Sequence, residues 1–217
     1  MARPIRHSKD MGRFIDITWP VTPKMTVYRG NPSPRIRALR SIPRDSANLS
    51  LLSLGLHTGT HVDAPRHFLG RGGDVTTLDL ERLAGPCVVA DLTGVLDRIE
   101  ADDLRGAGVP GGVIVLLKTR NSERDPEASF DPSFVFLAEG GAAYLRRRGA
   151  RAVGIDYLGI ERDQPKHPTH KLLLGAGIPI LEGLRLRGVR PGRYRLAAFP
   201  LPLAGAEASP VRAVLSR

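Results

Sequence analysis

Hydrophobic and polar positions alternate along much of the chain, and the pattern predicts a succession of short elements. Residues 13–18 read as a strand that ends before Pro20. Residues 22–34, rich in Pro and Gly, read as loop. Residues 35–42 alternate basic and apolar side chains, as a half-buried strand would, and residues 49–56 form a more apolar strand running directly into His57. A short helix is expected over 77–83, capped by Thr76 or Thr77, then a buried strand over 88–92 and a short helix over 101–106 closed by Gly106. The run Val113-Ile114-Val115-Leu116-Leu117-Lys118 predicts a central strand. A helix over 139–148 has Gly149 placed to cap its C-terminus. A strand over 152–155, a helix over 169–174 and strands over 178–181, 193–199 and 211–215 complete the series. About eight strands interleaved with a few short helices imply an α/β or α+β domain with a mixed sheet.

Composition narrows the class. The chain has 217 residues, enough for one domain with a real core, and its 41% apolar and 25% charged content is ordinary for a folded protein. No run of 18 or more apolar residues predicts a membrane span. Residues 1–12 read as a loose basic extension without the apolar stretch of a secretory signal, and Met11 is a second candidate start. Cys87 is the one cysteine, so no intramolecular disulfide forms; it opens the apolar run Cys87-Val88-Val89-Ala90 and reads as a buried small hydrophobe. A cytoplasmic protein is expected. The net charge of +10 raises nucleic acid as a partner. However, 27 of the 32 basic residues are Arg spread along the chain, and aromatics make up only 5%. The densest cluster, Arg146-Arg147-Arg148, sits at a helix end where cations complement the dipole. A solvated basic surface is the better reading.

The histidines carry the chemistry. Five of six fall in two clusters, His57, His61, His67 and His167, His170. On a straight strand His57 and His61 would share a face with Cα atoms about 13 Å apart. That is too far for one ion with Zn–N bonds of about 2.0–2.1 Å. The chain must bend, and Gly59 permits it, while Pro65 works against continuing a helix. The segment therefore reads as a strand entering a tight turn that gathers two imidazoles and a carboxylate. Two nitrogen donors and one oxygen donor, with a position open for water, make a catalytic rather than a closed structural metal site; Zn²⁺ fits, and Mn²⁺ or Fe²⁺ is compatible. A single histidine here would read as a turn cap. Three histidines and Asp63 within eleven residues do not.

The second cluster points the same way. His170 would start a short helix and Glu182 would end the next strand. The helix runs out about 10 Å and the strand returns about 13 Å, so the two side chains can meet. Glu182 follows Ile178-Pro179-Ile180-Leu181, and a carboxylate near the core needs a cation; a surface Glu is the alternative. His167, beside Pro168, is expected to be exposed.

The run from His57 to Phe68 resembles the HxGTHxDxPxHF motif of the cyclase family, which includes bacterial kynurenine formamidases and isatin hydrolases. Asn48 and Ser50 are similar to its N-x-S, Asp16 to Pro20 to its D-[IL]-[ST]-x-P start, and Leu83 to Val88 (LAGPCV) to the stretch opening its next strand. Ile180 to Leu184 is similar to its ILEGL, and Ala208 to Leu215 to the formamidase C-terminus. The resemblance covers nearly the whole chain from about residue 13. It implies an α/β fold: a swivelling β/β/α domain over residues 13–217, with a central mixed, barrel-like sheet and a few short peripheral helices, assembling as a homodimer or homotetramer. It further implies that His57, His61 and Asp63 hold a first ion, and that Asp63 bridges to a second held by His170 and Glu182. One or two Zn²⁺ per subunit, or Mn²⁺, are expected, with His67 as general acid/base and Trp19 and Tyr28 near the substrate. The implied reaction is attack of metal-activated water on a small linear amide, N-formylkynurenine giving kynurenine and formate. Neither nucleic acid nor membrane is an expected partner. In Tyr28-Arg29-Gly30-Asn31-Pro32, an Arg and an Asn replace a Pro and an Asp often found in the family. That departure motivates the alternative of a same-fold cyclase, dehydratase or cyclic amide or lactone hydrolase acting on a secondary metabolite. The chain length matches the formamidases better than the longer isatin hydrolases.

Overall fold

The computed structural model describes residues 14–217. The expected basic extension over 1–12, Met11 and Arg13 lie outside the described residues. Thirteen strands form: β1 (Ile15–Asp16), β2 (Arg35–Arg40), β3 (Leu49–Ser53), β4 (His61–Asp63), β5 (Ala84–Asp91), β6 (Arg98–Ile99), β7 (Ile114–Lys118), β8 (Phe136–Leu137), β9 (Val153–Ile155), β10 (Ile180–Glu182), β11 (Gly192–Ala197), β12 (Ala208–Pro210) and β13 (Val214–Ser216). Three α-helices accompany them: α1 (Ala101–Gly106), α2 (Glu139–Arg147) and α3 (Pro168–Gly175).

Nine strands make one mixed sheet in the order β1-β13-β11-β5-β7-β9-β10-β4-β12. The central four, β5, β7, β9 and β10, are parallel, and the flanking strands pair antiparallel. Burial on both faces explains the unbroken apolar run of β7. Ile114 and Leu116 pack into one layer with Cys87, Val89 and Leu181. Val115 and Leu117 pack into the opposite layer with Leu104, Leu145 and Leu173 of the three helices. Each such side chain contributes about 1.5–3 kcal/mol of transfer free energy. Trp19, Met25, Phe134, Phe136, Tyr157 and Leu158 form a third cluster.

The expected mixed α/β sheet with few short helices is what forms, and α1, β7 and α2 fall within a residue of their expected limits. Three expectations are corrected. Residues 35–42 and 49–56 do form strands over part of their length, but neither is half-buried: β2 and β3 pair only with each other, and every residue in both is exposed. Nor does β3 run into His57; it ends at Ser53, and a turn intervenes. Residues 77–83 form no α-helix but two 3₁₀ turns, Val75–Thr77 and Leu80–Leu83, capped by the side chains of Asp74 and Asp79. A carboxylate accepting a backbone N–H two residues on favours such a short turn over a continued helix.

Candidate active site

Register explains how the site assembles. β4 and β10 pair antiparallel with His61 opposite Glu182 and Asp63 opposite Ile180. Val62 and Leu181 face one core layer. Strand alternation then turns His61, Asp63 and Glu182 to the other face, against α3. All three are buried. The bend expected at Gly59 is present, with φ of +63°. It precedes β4, so Asp63 stands on a strand and not in the turn, and the turn brings His57 Nδ1 to 3.1 Å from Asp63 Oδ1. Pro65 opens a 3₁₀ turn, Pro65–His67, that carries His67 back over His57, with ring centroids 4.1 Å apart.

α3 delivers His170 from the opposite side. Its Nε2 lies 3.4 Å from Glu182 Oε1 and 3.7 Å from Asp63 Oδ2. His61 Nε2 lies 3.4 Å from Glu182 Oε2 and 3.5 Å from Asp63 Oδ1, while its Nδ1 faces the carbonyl of Gly59 at 2.9 Å. Asp63 thus faces His57 and His61 with Oδ1 and His170 with Oδ2. His67, His57 and Asp63 are close enough to share an ion, and so are His61, Asp63 and Glu182.

Carboxylates and imidazoles face one another in a buried setting. Burial opposes ionisation of Glu182, yet His170 and His61 hold its pKa well below the usual range. Burial also opposes charge on His170, yet Glu161 and Glu182 push its pKa up to about 10. His57 Nε2, His61 Nε2 and both oxygens of Asp63 are buried with no hydrogen-bond partner. Orphaned polar atoms at that depth cost about 1–3 kcal/mol each. Four in one cluster, all nitrogen or oxygen donors of the kind that hold Zn²⁺, fit a metal centre.

The structure brings His57, His61, Asp63, His67, His170 and Glu182 together. Tyr28 is half-buried, its ring tilted at 56° to that of Phe130 with centroids 4.8 Å apart, and its hydroxyl is raised above its usual pKa by burial and by Glu182, Asp163 and Glu161. Trp19 lies in the core. It has no exposed surface, its Nε1 donates to the Pro126 carbonyl at 3.1 Å, and Arg185 lies over its ring at 4.7 Å. Its backbone packs beneath Gly59, so it supports the turn from below. His167 is half exposed, but its Nδ1 sits 2.7 Å from Glu161 Oε1. Glu161 and Glu207, the latter 3.6 Å from His57 Nε2, are the site carboxylates that sequence reasoning missed. Glu161 lies in the charged run Glu161-Arg162-Asp163, which looks like any solvated loop.

A half-barrel mixed sheet with a buried His/Asp/Glu cluster on one face defines a metal-centre protein of the α/β class. The chain belongs to the Cyclase family, whose model, described as "Putative cyclase", matches residues 15–162. It is 34% identical over 207 residues to the kynurenine formamidase of Sphingopyxis alaskensis, covering 94% of this chain and 98% of that one. It is 35% identical to the kynurenine formamidase of Geobacillus thermodenitrificans over 95% of this chain and 99% of that one. A solved structure described as a potential metal-dependent hydrolase with cyclase activity superposes with a TM-score of 0.84 at 43% identity, covering 94% of this chain and 98% of that one.

Proposed function

We propose that the chain is a metal-dependent amide hydrolase that cleaves N-formylkynurenine to kynurenine and formate. The observation that carries this reading is the buried cluster on β4, β10 and α3 with its unpartnered donor atoms. The formamidase relatives match almost end to end, which favours a linear amide over the cyclic-substrate alternative.

His57, His61 and Asp63 would hold one ion, and Asp63, His170 and Glu182 a second. Zn²⁺ suits these donors and Mn²⁺ is the next choice. A bound ion there supplies Lewis-acid polarisation of the amide carbonyl and lowers the pKa of water. His67 does the proton work. Burial lowers its pKa from the usual histidine value, which favours the neutral imidazole. It takes a proton as water adds to the formyl carbon, and returns it to the aryl nitrogen as the C–N bond breaks. Phe68, 4.1 Å from the His67 ring centroid, and Tyr28 wall the reacting amide. Incubating the metal-loaded protein with N-formylkynurenine should release kynurenine and formate in equal amounts; hydrolysis of lactones or cyclic amides with the formamide untouched would redirect the assignment.

The chain further assembles as a homodimer or homotetramer. In support, the β2–β3 arm carries Ile36, Leu39, Ile42, Leu49, Leu51 and Leu52, each 41–59% exposed. A two-stranded hairpin is marginal alone, and apolar patches of this kind mark association surfaces. A cytoplasmic location suits the single buried thiol and the absence, among the described residues, of a helix long and apolar enough to cross a membrane.

A further inference from the structure

Glu161 is a buried carboxylate, 4% exposed, that the reaction outlined above does not use. Its Oε2 accepts the backbone N–H of His170 at 3.1 Å and faces His170 Nδ1 at 3.4 Å. Its Oε1 meets His167 Nδ1 at 2.7 Å. His170 is the third residue of α3, whose first-turn N–H groups have no partner within the helix. His167, at the N-cap, supplies no side-chain cap. Glu161 caps the helix from outside and places negative charge at its positive end.

We propose that Glu161 is a positioning residue that fixes the ring of His170 for metal binding, with His167 fixing Glu161 in turn. This rests on the reading of His170 as a metal ligand. A proton on Nδ1 faces the Glu161 carboxylate and leaves the Nε2 lone pair aimed at Asp63 and Glu182. The opposite tautomer would set a lone pair against a carboxylate and a proton against the ion. A carboxylate behind a ligating imidazole fixes its tautomer and raises its basicity.

The backbone supports this independently. Among the described residues, the non-glycine residues with positive φ are Asp163 at 50°, Lys166 at 70° and His167 at 53°. All lie between Glu161 and His170. Each costs about 1–3 kcal/mol and persists only where the surroundings over-determine it. The pairing of His167 with Glu161 is one such constraint. The ring of Phe68, 4.7 Å from His167 and 4.2 Å from His170, is a second and ties the segment to the His57–Phe68 turn.

The test is Zn²⁺ and Co²⁺ binding, by competition with a chromogenic chelator and by the visible Co²⁺ spectrum, in wild type, Glu161→Gln, Glu161→Asp, His167→Ala and His170→Ala. Glu161→Gln is expected to weaken one of the two ions about 10- to 100-fold and to shift the Co²⁺ bands. The ion at His57 and His61 should keep its affinity. Glu161→Asp, which retains the charge, should recover part of the loss. His167→Ala, a change at a half-exposed side chain, should weaken the same ion by several fold and carries the test if Glu161→Gln does not fold. Wild-type affinity and spectrum in both Glu161→Gln and His167→Ala would overturn the proposal while the metal reading stood. Both ions retained in His170→Ala would overturn the metal reading of His170, and the proposal with it.

Discussion

Gly183 offers the sharpest test of how the two halves of the site are held together. It follows Glu182 with φ of +66°, and its N–H donates to the Tyr157 carbonyl at 2.7 Å. Its carbonyl accepts the Thr60 hydroxyl at 2.6 Å. A Cβ there would lie 2.1 Å from the Gly59 carbonyl oxygen, 2.6 Å from its carbon and 3.0 Å from Thr60 N. These are backbone atoms of the turn that carries His57 and His61, and they cannot rotate aside as a side chain would. Gly183→Ala therefore meets two penalties: about 1–2 kcal/mol for the left-handed conformation and about 1–3 kcal/mol for overpacking. The expected loss is about 2–5 kcal/mol, a large share of the ~5–15 kcal/mol that holds a typical domain together. Any relief moves the turn away from β10, so metal affinity should fall as well. Gly188→Ala is the control: φ is +75°, but nothing lies within 4 Å of the added methyl, so only the conformational penalty applies. Urea unfolding of the metal-free variants should show the larger drop in midpoint for Gly183→Ala at similar slope. Equal stability of the two variants, with unchanged Zn²⁺ affinity, would refute the close-approach argument.

Other outcomes are expected. His67→Ala should keep its metal and lose about 10²- to 10⁴-fold in turnover; loss of an ion instead would make His67 a ligand. Cys87, 3% exposed and with its pKa pushed up to about 12 by burial, should resist thiol reagents at pH 8 in the native protein and react once on unfolding; rapid native labelling would contradict that burial. Asp156 accepts from Thr119 N and Oγ1 and from Ser122 N and Oγ at 2.7–3.1 Å, yet burial raises its pKa from 3.8 to about 6. The folded state therefore binds this proton more tightly than the unfolded chain. The associated stability is complete below about pH 4 and lost as pH rises through 6, about 3 kcal/mol in all. Asp156→Asn lacks that titration, so the unfolding free energy of wild type minus variant should fall by about that amount between pH 4 and pH 7. Parallel curves would contradict it.

Much of this was legible in the sequence, for identifiable reasons. β7 is a continuous apolar run and α2 ends at Arg147 with Gly149, φ +69°, just beyond its cap, so pattern and cap agree with the tertiary environment. The site was legible because His, Asp, Gly and Pro are concentrated between residues 57 and 67, and because Glu182 follows an apolar strand. The β2–β3 arm misled because an Arg/Ile alternation looks the same whether its apolar face meets the chain's own core or projects outward. β4 and β12 are three residues each, too short to show a period, and β12 ends in Pro210. Glu161 gave no signal, since only the fold of residues 161–170 turns it under His170.

The central claim is that the cluster around Asp63 holds a metal that serves amide hydrolysis. The most direct measurement is N-formylkynurenine turnover by the protein as purified, after chelation, and after return of Zn²⁺ or Mn²⁺, in wild type and His61→Ala. The account predicts a kcat/KM of about 10⁴ M⁻¹s⁻¹ or better, lost on chelation and restored by metal in the wild type alone. Full turnover by the metal-free protein, or equal restoration in His61→Ala, would contradict it.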